Sequence, residues 1–252
     1  MDNYFDKQIE LRYYEMDKFG TASPVTMLTL LEETAADHCH SIDVSLYDLE
    51  RDGIGWVLLS GYMQMYRYPR YKENITIRTW LSKYSAVKGF RENIVFDESG
   101  IVIGRTKGLW VFFDINRRRP IEIPEKIRLR WSFCAEECLT HNMTERIEAI
   151  SEATRMEQYQ VHRYDTDMYK HVNNIRYLHW IVDSMPEEIV DNYYMHSIDG
   201  RFVGEAMQGD VINALTAKGA EKDSYTHAVR VDGSDKVCAT ARTTWCRKPE
   251  NS

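Results

Sequence analysis

Two carboxylates, an imidazole and two amides fall within one short stretch of this chain, Asp-Thr-Asp-Met-Tyr-Lys-His-Val-Asn-Asn at positions 165–174. A carboxylate such as Asp167 can attack an electrophilic carbon or deprotonate water, and an imidazole such as His171 can move a proton near neutral pH. Asn173 and Asn174 are of a residue type that favours the N-terminal cap of a helix. These residue types therefore suit reactions at a polarised carbonyl group.

An amphipathic helix is predicted directly after this stretch. If the helix begins at Asn173 or Asn174, its first turn presents unpaired backbone N–H groups and a partial positive charge, beside Asp167 and His171. For the two asparagines alone, an ordinary polar turn that caps a core helix is the alternative. The apolar face of the helix, at helical spacing, would consist of Ile175, Leu178, Ile181, Val182 and Met185.

The order of these residues resembles the signature of the plant-type acyl-acyl carrier protein thioesterases: Asp-x-Asp, then His-Val-Asn-Asn, then the aromatic residues Tyr177 and Trp180. The resemblance covers nearly the whole chain and implies an enzyme that hydrolyses fatty acyl thioesters of acyl carrier protein to free fatty acids. It implies no metal and no organic cofactor. The other matching segments are Trp56-Val57-Leu58, Tyr68-Pro69-Arg70 with Thr79-Trp80, Leu109-Trp110-Val111, and Arg117-Arg118-Arg119-Pro120 with Ile123-Pro124.

The resemblance also implies catalytic residues. Asp167 and His171 match the family's Asp-x-Asn-x-His pattern, and Glu205 matches its glutamate. Two positions depart from the family: Tyr169 stands where the pattern has asparagine, and Ala206 stands where a cysteine follows the glutamate. Either Tyr169 substitutes for the asparagine as a hydrogen-bond donor, which we expect, or the site differs in detail. None of the five cysteines is expected to be the nucleophile.

Substrate-binding residues are predicted in both halves of the chain. The helix start at Asn173 and Asn174 would hold the carbonyl oxygen, and Trp56, in a stretch rich in aromatic residues and methionine, would line a tunnel for the acyl chain. Core packing is the alternative for Trp56. A turn of three arginines would bind the acidic carrier protein or the phosphate of its pantetheine arm, with a solvated turn as the alternative. These arginines are Arg117, Arg118 and Arg119.

Composition excludes several function classes. The net charge is −7, with 39 acidic and 32 basic residues, so nucleic acid is not an expected partner. The absence of a long apolar run predicts that no segment spans a membrane, and we expect a cytoplasmic protein. The five scattered cysteines are interpreted as reduced thiols, with Cys134 and Cys138 packed on one helix face. The run from His38 to His40 is interpreted as a surface helix terminus, not as a metal site.

An internal repeat predicts two similar halves. Asp17 and Asp167 are 150 positions apart, and the same shift relates Val25 to Ile175 and Leu28 to Leu178. Each half is expected to contain a strand, one long helix and then several strands, which indicates an antiparallel α+β fold. The predicted architecture is a tandem double hotdog, in which a bent sheet wraps each helix. Residues 1–130 would form the N-terminal hotdog that shapes the acyl pocket, 131–156 a connecting segment, and 157–252 the catalytic C-terminal hotdog.

Three functions remain open from the sequence. The first is acyl-acyl carrier protein hydrolysis in fatty acid biosynthesis. The second keeps the fold and the reaction but uses acyl-coenzyme A. The third is a catalytically silent acyl-binding module, because Tyr169 and Ala206 depart from the family's pattern. A monomer and a homodimer are both compatible with a double hotdog.

Overall fold

The computed structural model describes residues 4–150 and 152–249. The chain divides into two compact units, Met1–Met143 and Thr144–Ser252. Each unit contains an antiparallel sheet and a helix with a buried face, so the predicted α+β class is confirmed. In the part of the chain that the structure describes, no helix is long and apolar enough to cross a membrane.

The first unit is built on a sheet whose neighbouring strands follow the order β1-β3-β4-β5-β2, with the short β6 paired to the end of β5. All of these pairings are antiparallel. The strands are β1 (Phe5–Glu10), β2 (Ile54–Met65), β3 (Asn74–Tyr84), β4 (Lys88–Asp97), β5 (Val102–Asp114) and β6 (Arg119–Pro120), and the helices are α1 (Pro24–Ser41), α2 (Leu46–Arg51) and α3 (Glu125–Arg128).

The long helix α1 begins where the pair Ser23-Pro24 predicts a helix start, with a capping residue directly before a proline. The hydroxyl of Ser23 accepts the backbone N–H of Thr26 at 3.0 Å, and Pro24 occupies the first helical position, where its missing N–H costs nothing. His38, near the other end, is buried, and its Nδ1 lies 3.1 Å from Nη1 of Arg91 on β4. The interpretation of this histidine as part of a surface helix terminus is therefore wrong. The most buried residues of α1 are Met27, Leu30, Leu31, Thr34, His38 and Cys39.

The second unit has the same order of strands. Its sheet runs β8-β11-β10-β9-β7, so each strand has a counterpart in the order of the first unit. All of these pairings are antiparallel as well. The strands are β7 (Arg155–Gln160), β8 (Tyr193–Phe202), β9 (Val211–Lys218), β10 (Ser224–Val231) and β11 (Val237–Arg247), and the helices are α4 (Asn174–Asp183) and α5 (Glu187–Asn192).

The repeat is most complete before the two long helices. Residues 11–30 and 161–180 pass through the same local structures in the same order: a 3-10 turn, a tight loop and the start of a helix. The loop turns at a residue with positive φ in both units, Gly20 (74°) and Lys170 (65°). The predicted internal repeat is confirmed, and this loop-and-helix unit carries Asp167 and His171 in the second copy.

Two elements differ from the sequence-based prediction. Residues 8–14 alternate apolar and polar, a pattern that predicts a strand as far as Tyr14, but the first strand ends at Glu10 and a 3-10 turn follows at Tyr13–Glu15. In the second unit, the sequence predicts a strand only around Phe202 and Val203, whereas β8 begins at Tyr193. Polar residues interrupt the apolar pattern of β8, since Asp199 and Arg201 are both buried and form an ion pair with each other.

The chain between α3 and β7 contains no helix or longer strand among its described residues. Its first part packs on the first unit: the backbone N–H of Cys134 donates to the carbonyl of Leu81 at 3.0 Å, and the Sγ of Cys138 lies 3.1 Å from a carboxylate oxygen of Glu92. The expected packing of Cys134 and Cys138 on one helix face is therefore wrong. Both thiols belong to an irregular segment.

Candidate active site

The start of α4 combines an N-cap with an unused donor. The side-chain oxygen of Asn173 accepts the backbone N–H of Ile175 at 2.8 Å, and the backbone N–H of Asn173 donates to the carbonyl of Asp165 at 2.9 Å. The backbone N–H of Asn174 has no hydrogen-bond partner among the residues that the structure describes. Because the helix dipole adds partial positive charge here, this N–H is suited to hold a carbonyl oxygen.

Asp167 organises the loop before the helix. Its Oδ1 accepts the backbone N–H of Tyr169 at 2.9 Å, and its own N–H donates to the carbonyl of His171 at 2.9 Å. Burial raises the pKa of the Asp167 carboxyl above its ordinary value, while the backbone N–H groups of Tyr169 and His171 act in the opposite direction. A carboxylate with a raised pKa is a better general base than a fully solvated one.

His171 and Glu205 face each other across two loops. Nδ1 of His171 lies 3.7 Å from Oε1 of Glu205, and their side chains are 23% and 42% exposed. The loops are joined by the backbone, because the N–H of Val172 donates to the carbonyl of Ala206 at 3.1 Å and His171 forms an antiparallel bridge with Met207. Glu205 therefore places a carboxylate next to the imidazole of His171.

The loop that carries Glu205 is fixed from two sides. The phenol oxygen of Tyr177, a buried residue of α4, accepts the backbone N–H of Ala206 at 2.8 Å. The backbone N–H of Gly204 donates to the carbonyl of Cys238 at 3.1 Å, and a Cβ at position 204 would lie 2.4 Å from the carbonyl oxygen of Val237. Only glycine fits this close approach of two backbones.

Sequence reasoning noted Tyr177 as an aromatic residue of the motif but did not predict its contact with Ala206. A signal was present, since Tyr177 lies one helical turn after Asn174 and is therefore on the same face of α4. The contact itself depends on how the 203–207 loop folds onto the helix. Tyr177 thus links the two loops of the site through the helix between them.

Three of the five cysteines have thiols of raised pKa, Cys39, Cys138 and Cys238. Ala206, at the position of the family's cysteine, is fully buried. Burial raises the pKa of the Cys238 thiol, which lies beside Tyr177, and the pKa of the Cys39 thiol. Burial together with the neighbouring Glu92 raises the pKa of the Cys138 thiol to about 12. These three thiols are therefore protonated, and so weakly nucleophilic, at neutral pH.

The structure shows the local surroundings of the remaining predicted residues. The ring of Tyr169 is half-buried in the 166–171 loop. Trp56, on β2 of the first unit, packs against the ring of Phe112 with the centroids 4.9 Å apart. Arg117, Arg118 and Arg119 are exposed, and the Nε of Arg117 lies 3.7 Å from Oδ2 of Asp114. Their proposed contacts with substrate and carrier remain predictions.

The first unit has the same loop but lacks the counterparts of the imidazole and of the helix-start N–H. The carboxylate of Asp17 accepts the backbone N–H of Phe19 at 2.9 Å and contacts the hydroxyl of Thr21 at 3.2 Å. Thr21 stands where the second unit has His171, and Pro24, which has no N–H, stands where it has Asn174. Only the second copy therefore combines a partly buried acid, an imidazole and a helix start whose first N–H has no partner among the described residues.

Comparisons with known proteins identify the family to which this chain belongs. The N-terminal domain of acyl-ACP thioesterases matches residues 2–130, and the C-terminal domain of acyl-ACP thioesterases matches residues 148–247. An oleoyl-acyl carrier protein thioesterase of Arabidopsis thaliana is 25% identical over 98% of this chain and 77% of its own length. A palmitoyl-acyl carrier protein thioesterase of Cuphea hookeriana is also 25% identical, over 98% of this chain and 63% of its own length.

Solved structures confirm the double-hotdog fold. A 12:0-ACP thioesterase from Umbellularia californica is 20% identical, with a TM-score of 0.88 over 98% of this chain and 99% of its own. An acyl-ACP thioesterase from Bacteroides thetaiotaomicron is 21% identical, with a TM-score of 0.86 over 97% of this chain and 98% of its own. The two family domains together span most of the sequence. The chain is therefore a member of the acyl-ACP thioesterase family of thioester hydrolases.

Proposed function

We propose that the protein hydrolyses fatty acyl thioesters of acyl carrier protein, releasing free fatty acids and ending chain elongation in fatty acid biosynthesis. The observation that carries this proposal is the grouping of Asp167, His171 and the free N–H of Asn174 around the start of α4, in a chain that both family domains match. The first copy of the same loop lacks this combination.

In the proposed reaction, the backbone N–H of Asn174 holds the thioester oxygen and stabilises the negative charge that develops on it. Asp167 takes a proton from a water molecule, and the resulting hydroxide adds to the carbonyl carbon. When the tetrahedral intermediate collapses, the C–S bond breaks and His171 donates a proton to the leaving thiolate. Glu205 supports the protonated imidazole before this transfer. After the acid has left, Asp167 releases its proton to solvent and His171 takes one up, so both residues return to their starting states.

The other residues of the proposal bind the substrate. Trp56 packs against an apolar cluster of the first unit, and its indole Nε1 is buried without a hydrogen-bond partner among the residues that the structure describes. The exposed arginine turn, Arg117–Arg119, would meet the acidic surface of the carrier protein or the phosphate of its arm. Tyr169 would donate a hydrogen bond that holds the attacking water or Asp167.

The test is turnover of acyl-carrier-protein and acyl-coenzyme A thioesters of the same chain, side by side. We expect the larger kcat/KM for the carrier-protein thioester, because only that substrate offers a protein surface to the arginine turn. A larger value for acyl-coenzyme A would identify the alternative substrate. Binding of both thioesters without release of free acid would instead favour a silent acyl-binding module.

A further inference from the structure

Lys170 has an unfavourable backbone conformation for a lysine. Its φ of 65° lies in the left-handed region, which residues with a Cβ rarely adopt. The turn is fixed by its neighbours, since the N–H of Lys170 donates to the carbonyl of Asp167 at 3.0 Å. Lys170 therefore occupies a strained position directly before His171, and its side chain is exposed.

The first unit shows which residue the loop accepts without strain. The equivalent position is Gly20, with a φ of 74°. A Cβ added there would meet no atom within 4 Å, so the only difference between glycine and another residue is the backbone conformation itself. The backbone conformation at position 170 is thus less favourable for lysine than for glycine. This cost indicates a role for the lysine side chain.

Contacts within the described part of the chain do not account for a lysine at this position. Among residues 4–150 and 152–249, no acidic side chain forms an ion pair with Lys170. The acids of the surrounding loops have other partners: Asp165 lies 3.4 Å from the Nε of Arg176, and Glu205 faces His171. The ammonium group is therefore available to an anion from outside the chain.

We propose that Lys170 binds the phosphate of the pantetheine arm of the thioester substrate. This inference rests on the proposed function, because carrier-protein and coenzyme A thioesters both present this phosphate beyond the thioester. The ammonium is a point charge on a long flexible stem, so it can follow a flexible arm without a rigid pocket. It also offsets the negative charge of Asp167 and Glu205, which otherwise repels an anionic substrate from this side of the loop.

The experiment compares acyl-4′-phosphopantetheine with acyl-pantetheine, two thioesters that differ only in the phosphate. The readout is the ratio of their kcat/KM values at low ionic strength. We expect a ratio of about five for the wild type, as an exposed ion pair provides. Lys170→Gln and Lys170→Gly should bring the ratio close to one, and Lys170→Arg should restore most of it. Added salt should lower the wild-type ratio as well.

The cost of the left-handed backbone conformation is measured separately, with one variant at position 170 and a matched one at position 20. Lys170→Gly should raise the midpoint of thermal unfolding by about 2 °C, and Gly20→Lys should lower it by a similar amount. Gly20→Lys should leave the ratio for the two thioesters at the wild-type value. The two variants therefore separate the effect of the backbone conformation on stability from the effect of the lysine charge on the ratio of kcat/KM values.

An unchanged ratio in Lys170→Gln and Lys170→Gly would overturn the inference. An effect of these variants on acyl-carrier protein, with none on acyl-4′-phosphopantetheine, would also overturn it, because the lysine would then meet the carrier's acidic side chains. Failure of the proposed function is a different result, since neither small thioester nor the carrier-protein substrate would be hydrolysed by the wild type.

Discussion

At the scale of single residues, the two copies of one loop hold a structural acid and a candidate catalytic acid in nearly the same way. Asp17 and Asp167 both accept the N–H of the residue two positions later, at 2.9 Å. The hydroxyl of Thr21 also contacts the carboxylate of Asp17, whereas His171 takes the place of that threonine in the second copy. The same turn therefore either satisfies its carboxylate or leaves it beside an imidazole.

This comparison supplies a matched test of the general base. Asp167→Asn should lower kcat about a hundredfold or more, because the amide is nearly isosteric but cannot accept the proton of water. Asp17→Asn changes the equivalent acid of the first unit and should leave kcat near the wild-type value. Steady-state kinetics of both variants, with circular dichroism to confirm folding, gives the answer. Comparable rates for wild type and Asp167→Asn would exclude Asp167 as the base.

Tyr177 is a positioning residue whose hydroxyl can be removed alone. Tyr177→Phe leaves the buried N–H of Ala206 without its acceptor, which costs about 1 to 3 kcal/mol of the free energy of unfolding. Because Glu205 is adjacent, we expect kcat to fall with little change in KM, and its pH profile to shift as the contact between Glu205 and His171 loosens. Tyr225→Phe, at another buried tyrosine of the second unit, is the control. Equal pH profiles for Tyr177→Phe and the wild type would restrict Tyr177 to a structural role.

At the scale of secondary-structure elements, the sequence predicts best where one face of an element is apolar and the ends carry specific residue types. α4 satisfies both conditions, with Asn173 as its N-cap and Leu178 and Ile181 in the core. β8 satisfies neither, because buried Asp199 and Arg201 pair with each other and break the alternation. A pairing between side chains is a tertiary property, so no periodicity reveals it.

The candidate site was predictable to the same degree. Asp167 and His171 share one loop, so their spacing along the chain already places them together. Glu205 lies 34 residues beyond His171, and its assignment depended on the family resemblance, since no local pattern connects the two loops. The contacts of Tyr177 and the strain at Lys170 depend on backbone geometry and required the structure.

The first residue of α4 offers a test of the oxygen-binding donor. Asn174→Pro removes the free N–H, and the helix should tolerate it because α1 begins with proline at the equivalent position, Pro24. The ψ of 137° at Asn173 is also compatible with a following proline. We expect kcat to fall about a hundredfold, as when one oxyanion donor is lost.

The control for this variant is Asn174→Ala, which removes the side chain but keeps the backbone N–H. It should retain most of the activity, and both variants should unfold close to the wild-type temperature. If proline at position 174 leaves kcat intact, the carbonyl oxygen is held elsewhere. If alanine is as damaging as proline, the side-chain amide and not the backbone is the important group.

At the scale of the whole molecule, the two units share one order of strands but carry different predicted site residues. The second copy carries the acid, the imidazole and the free donor, while the first carries Trp56 and the arginine turn. The assignment of the acyl pocket to residues 1–130 and of catalysis to 157–252 remains a proposal. Each unit also buries one histidine that the candidate site does not use, His38 in the first and His227 in the second.

These two histidines predict how stability depends on pH. Burial lowers the pKa of His227 to about 3, and burial together with the charge of Arg91 does the same for His38. Between these values and the ordinary pKa of about 6.5, the unfolded chain binds protons that the folded chain cannot, so stability falls as pH decreases. Each histidine should remove about 2 kcal/mol of the free energy of unfolding between pH 7 and pH 5.

The contribution of one unit can be isolated through His227, whose ring nitrogens lie 3.0 Å from the hydroxyl of Thr216 and 2.9 Å from that of Thr243. His227→Gln removes the titrating group, so its loss of stability between pH 7 and pH 5, measured by urea denaturation, should be about 2 kcal/mol smaller than that of the wild type. His40→Gln, at an exposed position of α1, is the control and should leave the loss unchanged because it alters no buried ring. Equal losses in the wild type and His227→Gln would show that another group drives the pH dependence of stability in this range.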